Sequence, residues 1–301
     1  MIKIFPPEAK TFNSAGIIVI KPISCKENKK KSLNGWNLSL RVDIKYKDYL
    51  IKDNLVVIKS KSKVNPQAFR LGEPKTINNK IEVTANHVMF DAQNYFLYDV
   101  RPTNKTALQA LEYINERTDN ESPFYFDSDV EGLDTCYFET KNLLEAWKII
   151  EDRYNAVFDA DNYHISFKTT LGKDIGQMLV HNKNISSFSS YEDWSGVVTR
   201  IYPVGENGLK LPERFLDSDI SYSQPYTKRI DFTSDLNNSS ESVEPTEDDL
   251  IEELRNKAQY YLNNNKYPKV SYEITANINE QYDVNDKLIV KHPLVNLKTE
   301  V

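Results

Sequence analysis

The sequence predicts an α+β chain, mainly β, of two or three domains, and three observations carry that prediction. Leu38, Leu40, Val42 and Ile44 alternate with Ser39, Arg41, Asp43 and Lys45, the period of a strand with one face in a core. After Arg101-Pro102 the period changes, and Ala107, Ala110, Leu111 and Ile114 fall on one helical stripe. Near residue 235 the polar, low-complexity run Asp235-Leu236-Asn237-Asn238-Ser239-Ser240-Glu241-Ser242 reads as a linker ahead of a further helix. At 301 residues the chain is about twice the size of a common single domain, which fits this division.

The first ~95 residues read as closely spaced strands, the pattern of a barrel or a sandwich. Gly16-Ile17-Ile18-Val19-Ile20, Leu55-Val56-Val57-Ile58 and Ile81-Glu82-Val83-Thr84-Ala85 are strands. Turn-rich stretches at Lys30 to Gly35 and Gly72-Glu73-Pro74 separate them. Residues ~100 to ~190 form an α+β unit. Its first helix takes Thr103 or Asn104 as N-cap, with Lys105 in the first turn. The second begins at Asn142, with Glu145 completing a capping box, and buries Leu143, Trp147, Ile150 and Tyr154. Ala156-Val157-Phe158 and His164-Ile165-Ser166-Phe167 follow as a hairpin around Asp159-Ala160-Asp161-Asn162. Strands resume at Val197 to Tyr202. A third helix starts at the N-cap Thr246, with Glu247, Asp248 and Asp249 set against the positive end of its dipole. Its apolar stripe is Leu250, Leu254, Ala258 and Tyr261. Val270 to Ile274 and Lys287 to Val290 are the last strands, and the chain is expected to be part of a longer polypeptide.

Composition excludes several function classes. With 38 Lys+Arg against 44 Asp+Glu the net charge is -6, unlike a protein built to grip phosphates. The nine glycines do not cluster, so no phosphate-cradling loop can be drawn. No apolar run approaches the ~20 residues of a membrane span, and the first residues lack the apolar core of a secretory signal. Two cysteines, Cys25 and Cys136, make neither a disulfide framework nor a zinc site, and a reducing place of synthesis is expected. Eighteen tyrosines and thirteen phenylalanines suit half-buried strand positions.

The search for chemistry is negative. Nucleophile elbows, His-Glu-x-x-His helices, P-loops and Cys-x-x-Cys pairs are absent. His87, His164, His181 and His292 are scattered through strand or loop contexts and read as surface or core residues rather than metal ligands. Cys136, beside Tyr137 and Phe138, reads as a small buried hydrophobe. Asp127, Asp129, Glu131 and Asp134 have the spacing of the first half of a calcium loop, with Gly132 at the sixth position. Phe138 stands where the closing Glu belongs, so a solvated acidic loop is expected. Lys26 to Lys31 read as an exposed basic loop, and Asp159 and Asp161 as turn residues rather than a glycosidase pair. The Ser221-Tyr222-Ser223-Gln224-Pro225-Tyr226 loop is expected to pack its own tyrosines. No catalytic, cofactor-binding or metal-binding residue is assigned, and no cofactor is expected.

Three segments nevertheless carry a resemblance: Ile81-Glu82-Val83-Thr84-Ala85-Asn86-His87 ahead of Phe90-Asp91, Asp99-Val100-Arg101-Pro102-Thr103-Asn104, and Val197-Val198-Thr199-Arg200-Ile201-Tyr202-Pro203-Val204-Gly205. In this order and spacing the chain resembles the N-terminal region of the phage minor structural proteins, the prophage tail endopeptidase or tail-associated lysin family. The resemblance covers essentially the whole chain. It implies two tube-forming β-barrel-like domains with an inserted α/β domain, similar to contractile-tail baseplate hub proteins. Residues 1–98 with 193–235 would be the first barrel, 99–192 the insertion, and 236–301 an incomplete second barrel with its leading helix. At the turn Val284-Asn285-Asp286-Lys287 the family usually has Gly-Asp, and Asn285 is expected to tolerate a left-handed backbone there.

The implied role is structural: a homotrimeric ring at the tip or baseplate of the virion tail, assembled in the bacterial cytoplasm. Its implied partners are the distal tail protein and tail tube, the tape-measure protein, and tail-tip or fibre proteins. DNA would cross the lumen without specific binding, which the negative net charge suits, and no membrane anchor is implied. Wall hydrolysis, where the family has it, belongs to C-terminal domains outside this segment. The competing readings are a peptidoglycan endopeptidase and a carbohydrate- or receptor-binding module using Tyr222 and Tyr226.

Overall fold

A computed structural model describes residues 1–205, 208–232, 246–278, 281–293 and 297–300. The linker expected at 235–242 lies outside the described residues. The fold is mainly β with three α-helices among those residues, and it divides into two compact units, Met1–Val180 with Ile278–Val301, and His181–Asn277.

In the first unit, β1 (Ile2–Phe5), β2 (Ile18–Ile20), β3 (Ser24–Lys29), β4 (Trp36–Asp43), β5 (Leu55–Ile58), β6 (Gln67–Leu71), β7 (Lys75–Ile77) and β8 (Lys80–His87) make one sheet. The strand order is β2-β1-β5-β6-β8-β4-β3, with β7 also on β8, and every pairing is antiparallel. The alternation in β4 does what its period predicts. Leu38, Leu40 and Val42 are buried, in register with Ala85, Val83 and Ile81 of β8. Ile44 is not part of that strand, because Asp43 accepts a hydrogen bond from the Lys45 amide and starts a 3-10 turn over Ile44–Tyr49. The unbroken apolar run of β5 is buried at all four positions, as a strand covered on both faces requires. The expected basic loop at Lys26 to Lys31 is corrected: β3 runs through Lys29 as an edge strand hydrogen-bonded to β4.

The same unit continues with β9 (Phe96–Val100), α1 (Ala107–Asn115), β10 (Tyr125–Ser128), β11 (Phe138–Asn142), α2 (Leu143–Arg153), β12 (Val157–Asp161), β13 (His164–Lys168) and β14 (Asp174–Val180). Thr106, not Thr103 or Asn104, caps α1, exchanging side-chain hydrogen bonds with Gln109 in a capping box. Asn104 sits at φ 49° and Lys105 bridges backbone-to-backbone with Asp134, so the turn is spent before the helix begins. The α1 stripe Ala107, Ala110, Leu111 and Ile114 is fully buried. The Asn142–Glu145 capping box of α2 forms as expected, and α2 buries Leu143, Ala146, Trp147 and Ile150. β12 and β13 form the expected hairpin, and β10 joins β13 in parallel. One hydrophobic core runs continuously from Ile2 to Phe167.

Near its end the chain returns to the first unit as β20 (Lys287–His292), parallel to β14, and β21 (Leu297–Glu300), antiparallel to β20. The compact units are thus cut differently from the three-part division at 98/99, 192/193 and 235/236. The change of period near residue 100 marks a change of secondary structure, but the α1 and α2 stripes are buried in the same core as the preceding sheet.

The second unit holds β15 (Ile185–Asp193), β16 (Arg200–Val204), β17 (Leu216–Asp217), β18 (Thr227–Asp231), α3 (Glu247–Asn265) and β19 (Lys269–Ala276). β16 lies between β17 and β18, and α3 packs against it through Leu254, Ala258 and Leu262, with Val198, Ile201, Leu211 and Phe232 in the same small core. Thr246 caps α3 and Asp249 closes the box, as the acidic first turn predicts. β15 and β19 pair antiparallel as a two-stranded ribbon.

Candidate functional site

The richest concentration of polar chemistry lies in the first unit, where four segments distant in sequence meet. Lys29 ends β3, Lys63 lies in the loop between β5 and β6, Asp159 is on β12, and Asp283 lies just before β20. The Lys29 ammonium is 2.7 Å from both Asp283 oxygens and 3.7 Å from Asp159. Lys63 pairs with Asp159 and is 3.2 Å from Asp283. Each cation therefore faces both anions, and the four side chains, 13–23% exposed, balance to zero charge. Burial penalises the Lys63 ammonium, yet Asp159 and then Asp283 outweigh it and hold its pKa above the ordinary lysine value. Removing one member would leave a charge uncompensated in a poorly hydrated place.

The cluster rests on an aromatic and amide network. Lys29 sits 4.2 Å above the Trp36 ring, which stacks at 3.9 Å on His87. Trp36 Nε1 and Ser60 Oγ both donate to Glu27 Oε1, at 2.8 and 2.7 Å. His87 Nδ1 accepts from the Met89 amide, so the imidazole proton is on Nε2, which donates to Gln67 Oε1 at 3.0 Å. Burial, with Lys29 and Lys63 nearby, pushes the His87 pKa well below its usual value and keeps the ring neutral. Gln67 is fully buried and donates to Asp161 Oδ1 at 2.7 Å. Asn162, at φ 56°, accepts from the Ala68 amide at 2.8 Å and donates to the Pro66 carbonyl at 3.0 Å.

Asp159 and Asp161, expected as turn residues, are strand residues of β12. They are two apart and so on one face, and they tie β12 to Lys63, Asn65 and Gln67 at the β5–β6 connection. On the C-terminal side, Asp286 accepts from the Lys173 and Asp283 amides at 2.9 and 2.8 Å. Gly172, at φ 97°, has the carbonyl oxygen of Asn285 1.8 Å from where a Cβ would stand, so only glycine fits. The left-handed residue of this contact is Gly172 and not Asn285, which corrects the expectation for the Val284 to Lys287 turn.

The remaining sequence candidates stay apart. His164 stacks on Tyr125, and His292 is buried in β20. Cys136 is buried among apolar neighbours, and burial raises its thiol pKa. The acidic loop is spent on structure: Asp127 pairs with Lys168 at 2.5 Å, and Asp129 accepts from the Thr169 amide at 2.7 Å. Among the described residues no group of three or more His, Cys, Asp or Glu could hold a metal ion. Tyr222 and Tyr226 pack against Trp194, with ring centroids 5.1 and 5.9 Å away, and the Tyr222 hydroxyl donates to the Lys266 carbonyl. The loop does pack its own tyrosines. Lys29, Lys63 and Asp283 went unrecognised in the sequence because nothing local to a lysine or an aspartate announces a partner 96 to 254 residues away.

No family model matches the sequence, and no curated protein matches it. Solved structures do match. A prophage tail protein, gp18, from Listeria monocytogenes EGD-e superposes with a TM-score of 0.59 at 15% identity, over 100% of this chain and 87% of that one. The fold is that of a prophage tail protein. The 43 kDa tail protein of prophage MuSo2 from Shewanella oneidensis gives a TM-score of 0.59 at 11% identity, over 93% of this chain and 92% of its own. A tail protein from Neisseria meningitidis MC58 gives 0.56 at 8% identity, over 90% and 82%. At these identities few side chains are shared, so the tail-protein fold is a matter of backbone architecture. Within this tail-protein fold the Lys29–Lys63–Asp159–Asp283 cluster is a clamp: its carboxylates are committed to lysines, and neither is presented as a base or nucleophile. Among the described residues no helix is long and apolar enough to cross a membrane.

Proposed function

We propose that this chain is a structural, non-enzymatic component of a phage or prophage tail, located at the tail tip or baseplate, where it acts as a hub. The observation that carries the reading is the coverage: the whole chain and most of the Listeria tail protein share one fold. The proposed assembly is a ring of three copies that continues the tail tube, with tube and distal tail protein on one side and tape-measure and fibre proteins on the other. Effector domains, including any wall hydrolase, would follow this segment. The ring works by geometry, giving the tube a defined end and a passage for DNA, and a net charge of -6 favours transit over capture.

The second unit supports assembly. Neither outer edge of the β15–β19 ribbon has a strand partner among the described residues, and Tyr191, Val270 and Tyr272 are exposed on it. Two strands alone are marginal in water, and an open edge with exposed apolar groups is a place where another chain pairs. Light scattering over a wide concentration range, with class averages of the large species, tests the ring. A trimer with an open centre is expected. A longer chain carrying the proposed effector segment that stays monomeric, or hydrolysis of purified peptidoglycan by this chain, overturns the reading.

A further inference from the structure

We propose that a cleft of about 300 Å³, lined by residues 10–13, 65–66, Tyr125 and 161–164, binds a pyranose ring of an oligosaccharide. Its size is at the lower end of ligand-sized clefts, roughly 300–1,000 Å³. The platform is Tyr125, 60% exposed although it lies on a strand packed in the unit. Parallel pairing of β10 with β13 sets Tyr125 beside His164, and the two rings stack at 4.8 Å and 10°. The phenol ring is therefore held in place while much of it stays open, as stacking against the C–H face of a sugar requires.

One wall is polar and rigid before any ligand arrives. Asp161 accepts from Asn65 and Gln67, both at 2.7 Å, and Asn162 is fixed by its bonds to residues 66 and 68. Asn65 Oδ1 and the spare lone pairs of Asp161 remain as acceptors for sugar hydroxyls. The facing wall is the 10–13 segment. Phe12 is buried edge-on against Phe5 at 5.5 Å, which anchors the segment and leaves Thr11 and Asn13 exposed on either side of it. The side chains of Lys10, Thr11 and Asn13 form no hydrogen bond among the described residues, although each carries donors. An aromatic platform between fixed acceptors and free donors matches a ring with an apolar face and vicinal hydroxyls. A single lysine beside a carboxylate gives no cationic site for a phosphate, and too little apolar lining is present for a lipid or an apolar peptide. Preorganisation of this kind lowers the cost of binding. The proposal does not rest on the ring reading.

The test is an NMR titration of the full chain with cellotriose and with triacetylchitotriose, following the Tyr125 and His164 ring resonances. Saturable shifts of both rings with a Kd on the order of 1 mM are expected for at least one sugar. Tyr125→Ala should weaken that binding about tenfold, and Asn13→Ala about threefold. Asn13 makes no side-chain contact the fold needs, so it decides the matter should Tyr125→Ala fail to fold. Three outcomes overturn the proposal: no shift at roughly 20 mM sugar, affinity unchanged by Asn13→Ala, or a mononucleotide displacing the sugar from the same resonances.

Discussion

The eight-stranded sheet of the first unit and the β15–β19 ribbon of the second are both antiparallel, yet they differ in what finishes them. In the sheet, Trp36, Leu38 and Phe69 are at most 1% exposed, and the polar groups that enter, Gln67 and His87, find partners inside. In the ribbon, Tyr191 is 68% and Val270 45% exposed, and both outer edges lack a strand partner among the described residues. The sheet has open edges too, at β2 and β3, but its apolar face is buried within the chain. The ribbon has backbone groups and aromatic surface left for something else to cover. Within one chain, then, the deeply buried core and the exposed apolar ribbon surface lie in different units.

That contrast can be broken most directly at the clamp. Asp283→Ala leaves two lysines facing one carboxylate and should cost about 3 kcal/mol in urea unfolding, whereas Glu273→Ala on the ribbon should change stability by less than about 0.5 kcal/mol. Comparable losses at the two positions would erase the distinction. Gln67→Ala comes next: His87 Nε2 and Asp161 lose a buried partner, for about 2 kcal/mol.

Acid should separate the regions as well. Folded His87 is neutral with a depressed pKa, while the unfolded ring binds a proton below its usual value near 6.5, so this stability is present above about pH 6.5 and is lost below it. The slope is at most about 1.4 kcal/mol per pH unit, and amide exchange in β4, β6 and β8 should report it. In the second unit, Arg255 beside Glu213 and Arg200 beside Asp217 hold those carboxyls below their usual range. Protection there should persist through pH 6 to 5 and decline only as the pH falls through the carboxylate range.

Smaller effects sharpen the comparison. Thr246→Ala removes the α3 cap and should cost about 1 kcal/mol, seen as faster exchange in the first turn of α3 with the first unit unaffected. Tyr191→Ser should leave the urea midpoint unchanged and reduce the fraction of large species in light scattering. A shifted midpoint with unaltered mass would place that ring in the fold rather than in an interface.

Much of this architecture is legible along the chain. The β4 alternation, the stripes of α1 and α2, and the Asn142–Glu145 and Thr246 caps are all local patterns, because a strand or helix face is set by spacing and a cap by neighbours three residues away. The N-cap of α1 is not legible locally because Lys105 bonds to Asp134, 29 residues further on. β3 was hidden by its lysines, since an edge strand open to water needs no apolar alternation. The tyrosines of the 221–226 loop could be expected to pack on themselves, but their anchor on Trp194 could not.

By itself the sequence determined the element types, the mainly β class, the absence of familiar catalytic motifs and the resemblance to tail proteins. These follow from short-range periodicity, composition and contiguous runs. Only the tertiary structure decided that Lys29, Lys63, Asp159 and Asp283 share one cluster, that Asp161 and Asn162 brace the loop at 65–68, and that Tyr125 faces an open cleft. The physical reason is distance along the chain. A charge or an amide acquires its role from whatever folding brings within a few ångströms, and no local pattern encodes a partner 94 to 254 residues away.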